Sequence, residues 1–384
     1  MAGTLYLYSF LDEFVLLYPV YALLFSETGL SVAETTSLFV IWSVTGLLLE
    51  VPSGALADVL SRRLLLCVGP LLAAAGFALW VIFPSYWVFA AGFVLWGVRG
   101  ALTSGSLEAL VYEELERAGE AERYAGLMGR ASSVGLAATA SAIGLAIPVF
   151  AVGGYPVVGA ASVVACLLCS LAALAFPEHR AATAAGDEDD EPGYWAVLKS
   201  GLSEARGNRH VSRWLVLSAV AGAIWGALEE YVPYLGKELG TPVAWVPALV
   251  LLVWAAATAG GLLAGRAERV AERPFAVMLL AAALALAGGA LSGELAGFAL
   301  IALAFGAFQL ADVVADARLQ ESIDGPSRAT VTSVAGLGKE AVTLLVYASY
   351  GAASTMAGHG LTFALFAVPY VVVALVWGRK SPRP

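Results

Sequence analysis

Gly54-Ala55-Leu56-Ala57-Asp58-Val59-Leu60-Ser61-Arg62-Arg63 closes one apolar run, 35–57, and leads into the next, 64–83. Each run is long enough to cross a bilayer, which takes about 20 apolar residues in helix. The stretch between them is therefore a tight polar turn at a membrane surface. Gly54 lets a neighbouring helix approach closely. Asp58, at a helix end, can accept hydrogen bonds from the start of a facing helix and favour its dipole. Arg62 and Arg63 can clamp acids across the turn. A loop that is basic only because it stays inside accounts for the arginines, but not for the Gly/Asp spacing.

The same apolar pattern extends over the rest of the chain. Of its 384 residues 60% are hydrophobic and only 13% charged, against about 25% charged in soluble domains. Spans are expected near 4–25, 35–57, 64–83, 86–111, 123–147, 155–176, 211–235, 243–265, 273–291, 294–317, 329–352 and 359–378. The first run has neither a basic leader nor a small-residue cleavage site and reads as a retained helix. The one long connection holds Gly186-Asp187-Glu188-Asp189-Asp190-Glu191-Pro192-Gly193, too acidic to enter lipid. Tyr194-Trp195-Ala196-Val197-Leu198 after it suits a short amphipathic surface helix. This divides the chain into an N-terminal six-helix bundle (1–176), an acidic linker (177–210) and a C-terminal six-helix bundle (211–384). With twelve spans, nearly every loop arginine falls on one side, and only Lys237 on the other. The bias predicts cytoplasmic termini and a cytoplasmic linker.

The halves echo each other. Glu122-Arg123-Tyr124-Ala125-Gly126 opens the fifth span and Ser327-Arg328-Ala329-Thr330 the eleventh. Each follows a span ending in acids, a design that recurs in transporters built from repeats. The 54–63 turn resembles the cytoplasmic signature of the major facilitator superfamily, G-x-L-A-D-R-x-G-R-R/K. Val59 stands for its first Arg and Ser61 for its second Gly. The resemblance implies an all-α membrane protein with 12 transmembrane helices in two pseudo-symmetric six-helix bundles. It also implies that Gly54, Asp58, Arg62 and Arg63 form a cytoplasmic latch holding the outward-facing state. Leu95-Trp96-Gly97-Val98-Arg99 weakly resembles the family's motif with an intramembrane Arg. The proline-bearing motif of proton antiporters is poorly kept: Gly135 and Gly144 are present, but no Gly-Pro pair follows. The matching turn between spans 8 and 9, Gly261-Leu262-Leu263-Ala264-Gly265-Arg266, lacks its Asp.

Charges at membrane depth are costly and mark pairs, pathways or proton relays. Asp12 and Glu13 lie mid-way along the first span and Arg99 along the fourth. One acid is expected to pair with Arg99 and to release it on protonation; a permanent structural pair is the alternative. Neighbouring helical residues point about 100° apart, so both acids cannot face one cavity squarely. Glu229 and Glu230 are the counterpart pair in the seventh span, with Pro233 placed to kink it. Gln309, Asp312 and Asp316 share one face of the tenth span. Glu108 answers Asp312 in the first half, with Arg130 near enough in sequence to neutralise it. Glu50 shares a helix face with Gly54 and Asp58, and Lys339 is its expected partner in an inter-bundle bridge, with adjacent Glu340 competing for Lys339. Tyr6, Tyr8, Trp42, Trp96, Trp225 and Trp254 are candidates for an apolar pocket wall.

These features point to a secondary transporter, efflux-like and prokaryotic in character, in the cytoplasmic membrane. The expected partners are the bilayer, a small-molecule substrate and protons, with the chain as a monomer. Proton-coupled export of a small amphipathic or cationic compound is the leading expectation. Proton-coupled nutrient uptake, and a non-transporting sensor or lipid-handling protein, are the alternatives. No HExxH, P-loop or GxSxG motif is present, so no enzyme is expected. Three scattered histidines and three cysteines in apolar runs predict no metal site or cofactor. The absence of a basic stripe argues against nucleic acid.

Overall fold

The computed structural model describes residues 1–177, 209–267, 271–322 and 328–378, with side chains described outside 50–59, 209–210, 266–267, 328–333 and 378. The acidic linker and its expected surface helix lie outside the described residues, as do the side chains of Glu50, Gly54 and Asp58.

The chain forms two compact units, Met1–Gly186 with Pro242–Ala248, and Asp187–Thr241 with Leu249–Pro384. The first contains α1 (Ala2–Glu13), α2 (Tyr21–Glu27), α3 (Val32–Val59), α4 (Arg62–Ile82), α5 (Tyr86–Thr103), α6 (Ser106–Arg117) and α7 (Tyr124–Ala173). The second contains α8 (Arg209–Glu229), α9 (Val232–Glu238), α11 (Glu272–Leu291), α12 (Gly297–Glu321), α13 (Arg328–Ser354), α14 (His359–Leu365) and α15 (Ala367–Gly378). It also holds most of α10 (Val246–Ala267).

Among the described residues nine helical stretches are long and apolar enough to cross a membrane. One of them, Ala121–Ala173, counts twice. At Gly154 the backbone turns to φ +59°, a conformation that favours glycine. The contacts on either side show that the chain reverses there. Before the turn Gly135 lies by Ser9 and Thr139 by Glu13, so this half runs parallel to α1. After it Ser162 meets Leu17 and Cys169 meets Tyr8, so that half runs antiparallel. Two further spans escape a simple length-and-hydropathy reading. The first is broken into α1 and α2. The eleventh, α13, is made less apolar by Lys339, Glu340 and its hydroxyl and glycine residues. Each unit thus supplies six spans.

Four spans expected to be continuous are interrupted, for readable reasons. Pro19 cannot donate to the helix ladder, and its ring clashes with the carbonyl four residues back; the chain is non-helical over Phe14–Val20. The amide of Leu17, freed by the break, donates to Ser162 Oγ at 3.0 Å. Broken helices are tolerated at membrane depth when side chains recapture freed backbone groups in this way. Between α5 and α6, Gly105 adopts φ +72°. Pro233 does not kink the seventh span: that helix ends at Glu229 and Pro233 sits in the first turn of α9, where proline's missing N–H costs nothing. Pro369 would clash with the carbonyl of Leu365, and α14 stops there.

Each unit has its own core. In the first, Tyr21, Phe25, Phe39, Trp80, Phe89 and Phe93 interlock at centroid distances between 4.2 and 6.5 Å. The outward faces are strongly apolar, with Trp87 78%, Leu262 77% and Val152 87% exposed. A surface of this kind on a water-soluble monomer would aggregate; against lipid it is the expected solvent-facing side.

Candidate transport site

In the first unit, the break at Phe14 places Asp12 and Glu13 in the last turn of α1. That is the negative end of the helix dipole, which opposes an acid and favours a cation. Arg99 of α5 supplies the cation. Its Nη2 donates to Asp12 Oδ1, in a pair whose side chains are only 13% and 20% exposed. Cys169 Sγ lies 3.8 Å from the same carboxylate oxygen. Glu13 turns elsewhere, as the helical rotation between neighbours requires. It accepts only a long hydrogen bond, 3.4 Å, from Thr139 of α7. No cation reaches it among the described residues. A narrow crevice beside the pair is walled by Tyr18, Phe77, Trp96 and Cys166.

In the second unit, Lys339 Nζ of α13 donates to Asp312 Oδ1 at 2.8 Å and to Asp316 Oδ2 at 2.9 Å. The two acids lie one turn apart on α12, so one ammonium spans both. Ser218 Oγ of α8 donates to the other oxygen of Asp316. Asp312 lies over Gly222, where a methyl group would come within 2.6 Å of its carboxylate. Gln309, one turn toward the start of α12, packs over Gly261 of α10. Further along α8, Glu229 accepts a 2.6 Å hydrogen bond from Trp254 Nε1. Glu230 lies at the helix break that follows.

The expected bridge between Lys339 and Glu50 lies outside the described side chains, because that of Glu50 is not described. Within its own unit Lys339 is held by Asp312 and Asp316. Glu340 does not compete for Lys339 and makes no ion pair among the described residues. Glu108 and Arg130 are both exposed and do not pair. The break at Gly105 puts Glu108 in the first turn of a separate helix, α6, where the dipole already favours it. At the turn between α3 and α4, Arg62 forms an ion pair with Glu113 of α6 without hydrogen-bond geometry. Arg63 Nη1 donates to the carbonyl of Phe176 at 3.4 Å.

The aromatics serve more than one purpose. Tyr8 is buried and donates to the carbonyl of Leu66. Trp42 stacks on Trp96 at 4.8 Å, and Trp225 packs edge-on to Phe305. Tyr6 Oη and Trp225 Nε1 are buried without a hydrogen-bond partner. Reading the sequence alone missed Thr139, Ser218 and Cys169 as neighbours of the charged groups. Only Ser218 carried a signal, lying four residues before Gly222 on one face of a helix poor in polar residues. No group of metal-binding side chains is present among the described residues.

The family description "Major Facilitator Superfamily" matches residues 3–345. No curated protein matches the chain. Solved structures share its fold at low sequence identity. The nucleoside transporter NupG is 13% identical with a TM-score of 0.77, over 98% of both chains. A bacterial homolog of the human lysosomal transporter Spinster, in an inward-facing and unoccupied conformation, is 15% identical with a TM-score of 0.72, covering 98% of this chain and 94% of that one. A D-xylose-proton symporter is 16% identical with a TM-score of 0.68, covering 99% and 97%. The spans, the signature turn and the match over residues 3–345 lead to one assignment: the chain belongs to the Major Facilitator Superfamily.

Proposed function

We propose that this multi-pass membrane transporter couples its cargo to protons and exports a small amphipathic or cationic compound by alternating access. Membership of the superfamily makes it a non-enzymatic transporter of a small molecule. The coupling and the direction are inferred from the charged groups. The observation that carries the proposal is Glu13, a carboxylate at membrane depth beside an Asp12–Arg99 pair that is already complete, with Thr139 as its hydrogen-bond partner. A carboxylate without its own cation there is costly when charged, and taking up a proton removes that cost. The second unit also has one more acid than cation at Lys339, so both clusters favour positive cargo. We place the chain in the inner membrane of a prokaryote as a monomer with cytoplasmic termini, in line with the arginine-rich loops.

Uptake by symport is the competing reading. It is favoured by the first half of α7, where Leu145 follows Gly144 and the Gly-Pro pair of antiporters is missing. The same measurement separates the two. Purified protein in liposomes with an imposed pH gradient should move an organic cation against the proton flow, and Glu13→Gln should abolish gradient-driven movement while leaving exchange of cargo for cargo. Movement of cargo with the protons establishes symport. Glu13→Gln behaving as the unaltered protein removes Glu13 from the coupling.

A further inference from the structure

We propose that His359 is a proton-operated clasp at the end of the second unit that carries Glu238: neutral, it ties α13 to α9 and α14, and protonated it lets them part. With the orientation proposed above this end faces outward, so the clasp reads the pH of the exterior. The inference goes beyond the export reading and does not depend on the cargo.

Three helices supply the parts. α14 begins at His359, whose Nδ1 lies 2.8 Å from Tyr350 Oη of α13. Tyr350 is fully buried, stacked on Tyr231 at a centroid distance of 3.6 Å and edge-on to Phe363 at 5.8 Å. The imidazole also packs against the Tyr234 ring of α9, 5.4 Å away. Glu238, at the end of α9, accepts the backbone N–H groups of His359 at 2.6 Å and Gly360 at 3.4 Å. Exposed to solvent, it is also the charged group that faces the ring. From α11 the carbonyl of Ala290 lies beside Gly360, while the charges of that helix, Glu272 and Arg273, are at its opposite end. α15 holds no charged residue, and its Tyr370 is bonded to the Ala221 carbonyl.

Protonation turns these contacts against each other. A neutral imidazole has one donor and one acceptor nitrogen, and an imidazolium has two donors. Neutral, His359 accepts the Tyr350 hydroxyl at Nδ1 and carries its proton on Nε2. Charged, Nδ1 donates as well, and the phenolic hydrogen must turn away. Tyr350 Oη has no other hydrogen-bond partner among the described residues, so a buried hydroxyl is left stranded. That forfeits the full cost of its desolvation. Glu238 attracts the new charge, but an ion pair with an exposed carboxylate returns little. Loss of the hydrogen bond therefore wins, and the clasp opens as the pH falls through the range of about 8 to 5 in which imidazoles titrate.

The test compares the full chain, purified in detergent, with His359→Asn, which keeps an acceptor for Tyr350 but cannot titrate. Amide hydrogen exchange over residues 231–239 and 350–366 is followed by mass spectrometry at about pH 7.5 and about pH 5.5, on either side of the ordinary imidazole value. At each pH the exchange rate of the unaltered protein is divided by that of His359→Asn. This ratio should rise at least about 5-fold on acidification, the low end of the penalty for a stranded hydroxyl. Tyr350→Phe, with no hydroxyl to strand, should lose most of the acid effect, and it replaces His359→Asn as the reference if that variant does not fold. Glu238→Gln should keep the effect or enlarge it, because Glu238 opposes the opening. An unchanged ratio overturns the inference. So does a fall in the ratio, which means that Glu238 closes the clasp on the charged ring. Loss of the acid effect in Glu238→Gln overturns it as well, by assigning the proton to the carboxylate.

Discussion

The charged clusters of the two units have the same balance, two carboxylates and one cation, but they are built differently. In the first, Arg99 is satisfied by Asp12 alone and Glu13 looks away to Thr139. In the second, Lys339 is shared by Asp312 and Asp316. A pair with one acceptor fails when either partner is lost. A cation shared between two acceptors can lose one and keep the other. The first cluster thus depends on one ion pair, and the second on a shared cation.

This contrast is broken or upheld most sharply by removing the cations. Arg99→Gln leaves Asp12 buried and unpaired, an expected loss of about 3–5 kcal/mol. Lys339→Gln exposes its acids to partial solvation and to Ser218, an expected loss of about 1–3 kcal/mol. Denaturant titration of the purified proteins orders them, and a larger effect at Lys339 would reverse the comparison. The acids sharpen it further. Asp12→Asn should cost nearly as much as Arg99→Gln, whereas Asp312→Asn should cost less than about 1.5 kcal/mol because Asp316 retains the ammonium. Similar losses at both positions would remove the redundancy argued for the second unit.

Glu229 extends the comparison, as a deep acid of the second unit that resembles Glu13 more than its own neighbours. Trp254 is its hydrogen-bond donor, at 2.6 Å. Trp254→Phe keeps an aromatic ring, though a smaller one, and removes the N–H. It should cost about 1–3 kcal/mol, the usual penalty for stranding a buried acceptor. Glu229→Gln combined with Trp254→Phe should recover part of that loss. A double-mutant cycle with no coupling would show that the indole packs without supporting the acid.

The bundles were more legible than the sites because they obey different rules. Span length repeats twelve times and arginines recur in alternate connections, so the bilayer imposes the pattern regardless of detail. Asp12 and Arg99 were also within reach, since both could be placed near mid-depth by counting along their helices. Counting gives depth but not azimuth. The contacts of Lys339 with Asp312 and Asp316 of α12 depend on which face of α13 it occupies. Glu108 and Arg130 do not pair for another reason: a left-handed glycine, Gly105, separates α5 from the new helix that Glu108 opens, and both residues are exposed. Pro19 was visible in the sequence, but the rescue of the broken backbone by Ser162 depends on a helix about 145 residues away, at a 3.0 Å contact, and no local pattern encodes it.

The smallest effects lie at two glycines that face the acids, and they should differ in sign. In a helix interior Ala is favoured over Gly by up to about 1 kcal/mol. At Gly135 the added methyl would meet Glu13 Cγ at 3.3 Å and Ser9 O at 3.6 Å, close to ordinary contact, and Glu13 has no ion pair to hold it. Gly135→Ala should therefore be neutral or slightly stabilising. At Gly222 the methyl would meet all three terminal atoms of the Asp312 carboxyl group at 2.6–2.7 Å, and Lys339 resists its retreat. Overpacking of this kind typically costs about 1–3 kcal/mol, enough to outweigh the propensity gain. Melting temperatures of the two variants compare the clusters without touching a charge. A rise at Gly135 with a fall at Gly222 means that the acid in the first unit is free to move and the one in the second is clamped. A fall at both would mean that Glu13 is held as firmly as Asp312, and its place as the mobile proton acceptor would be lost.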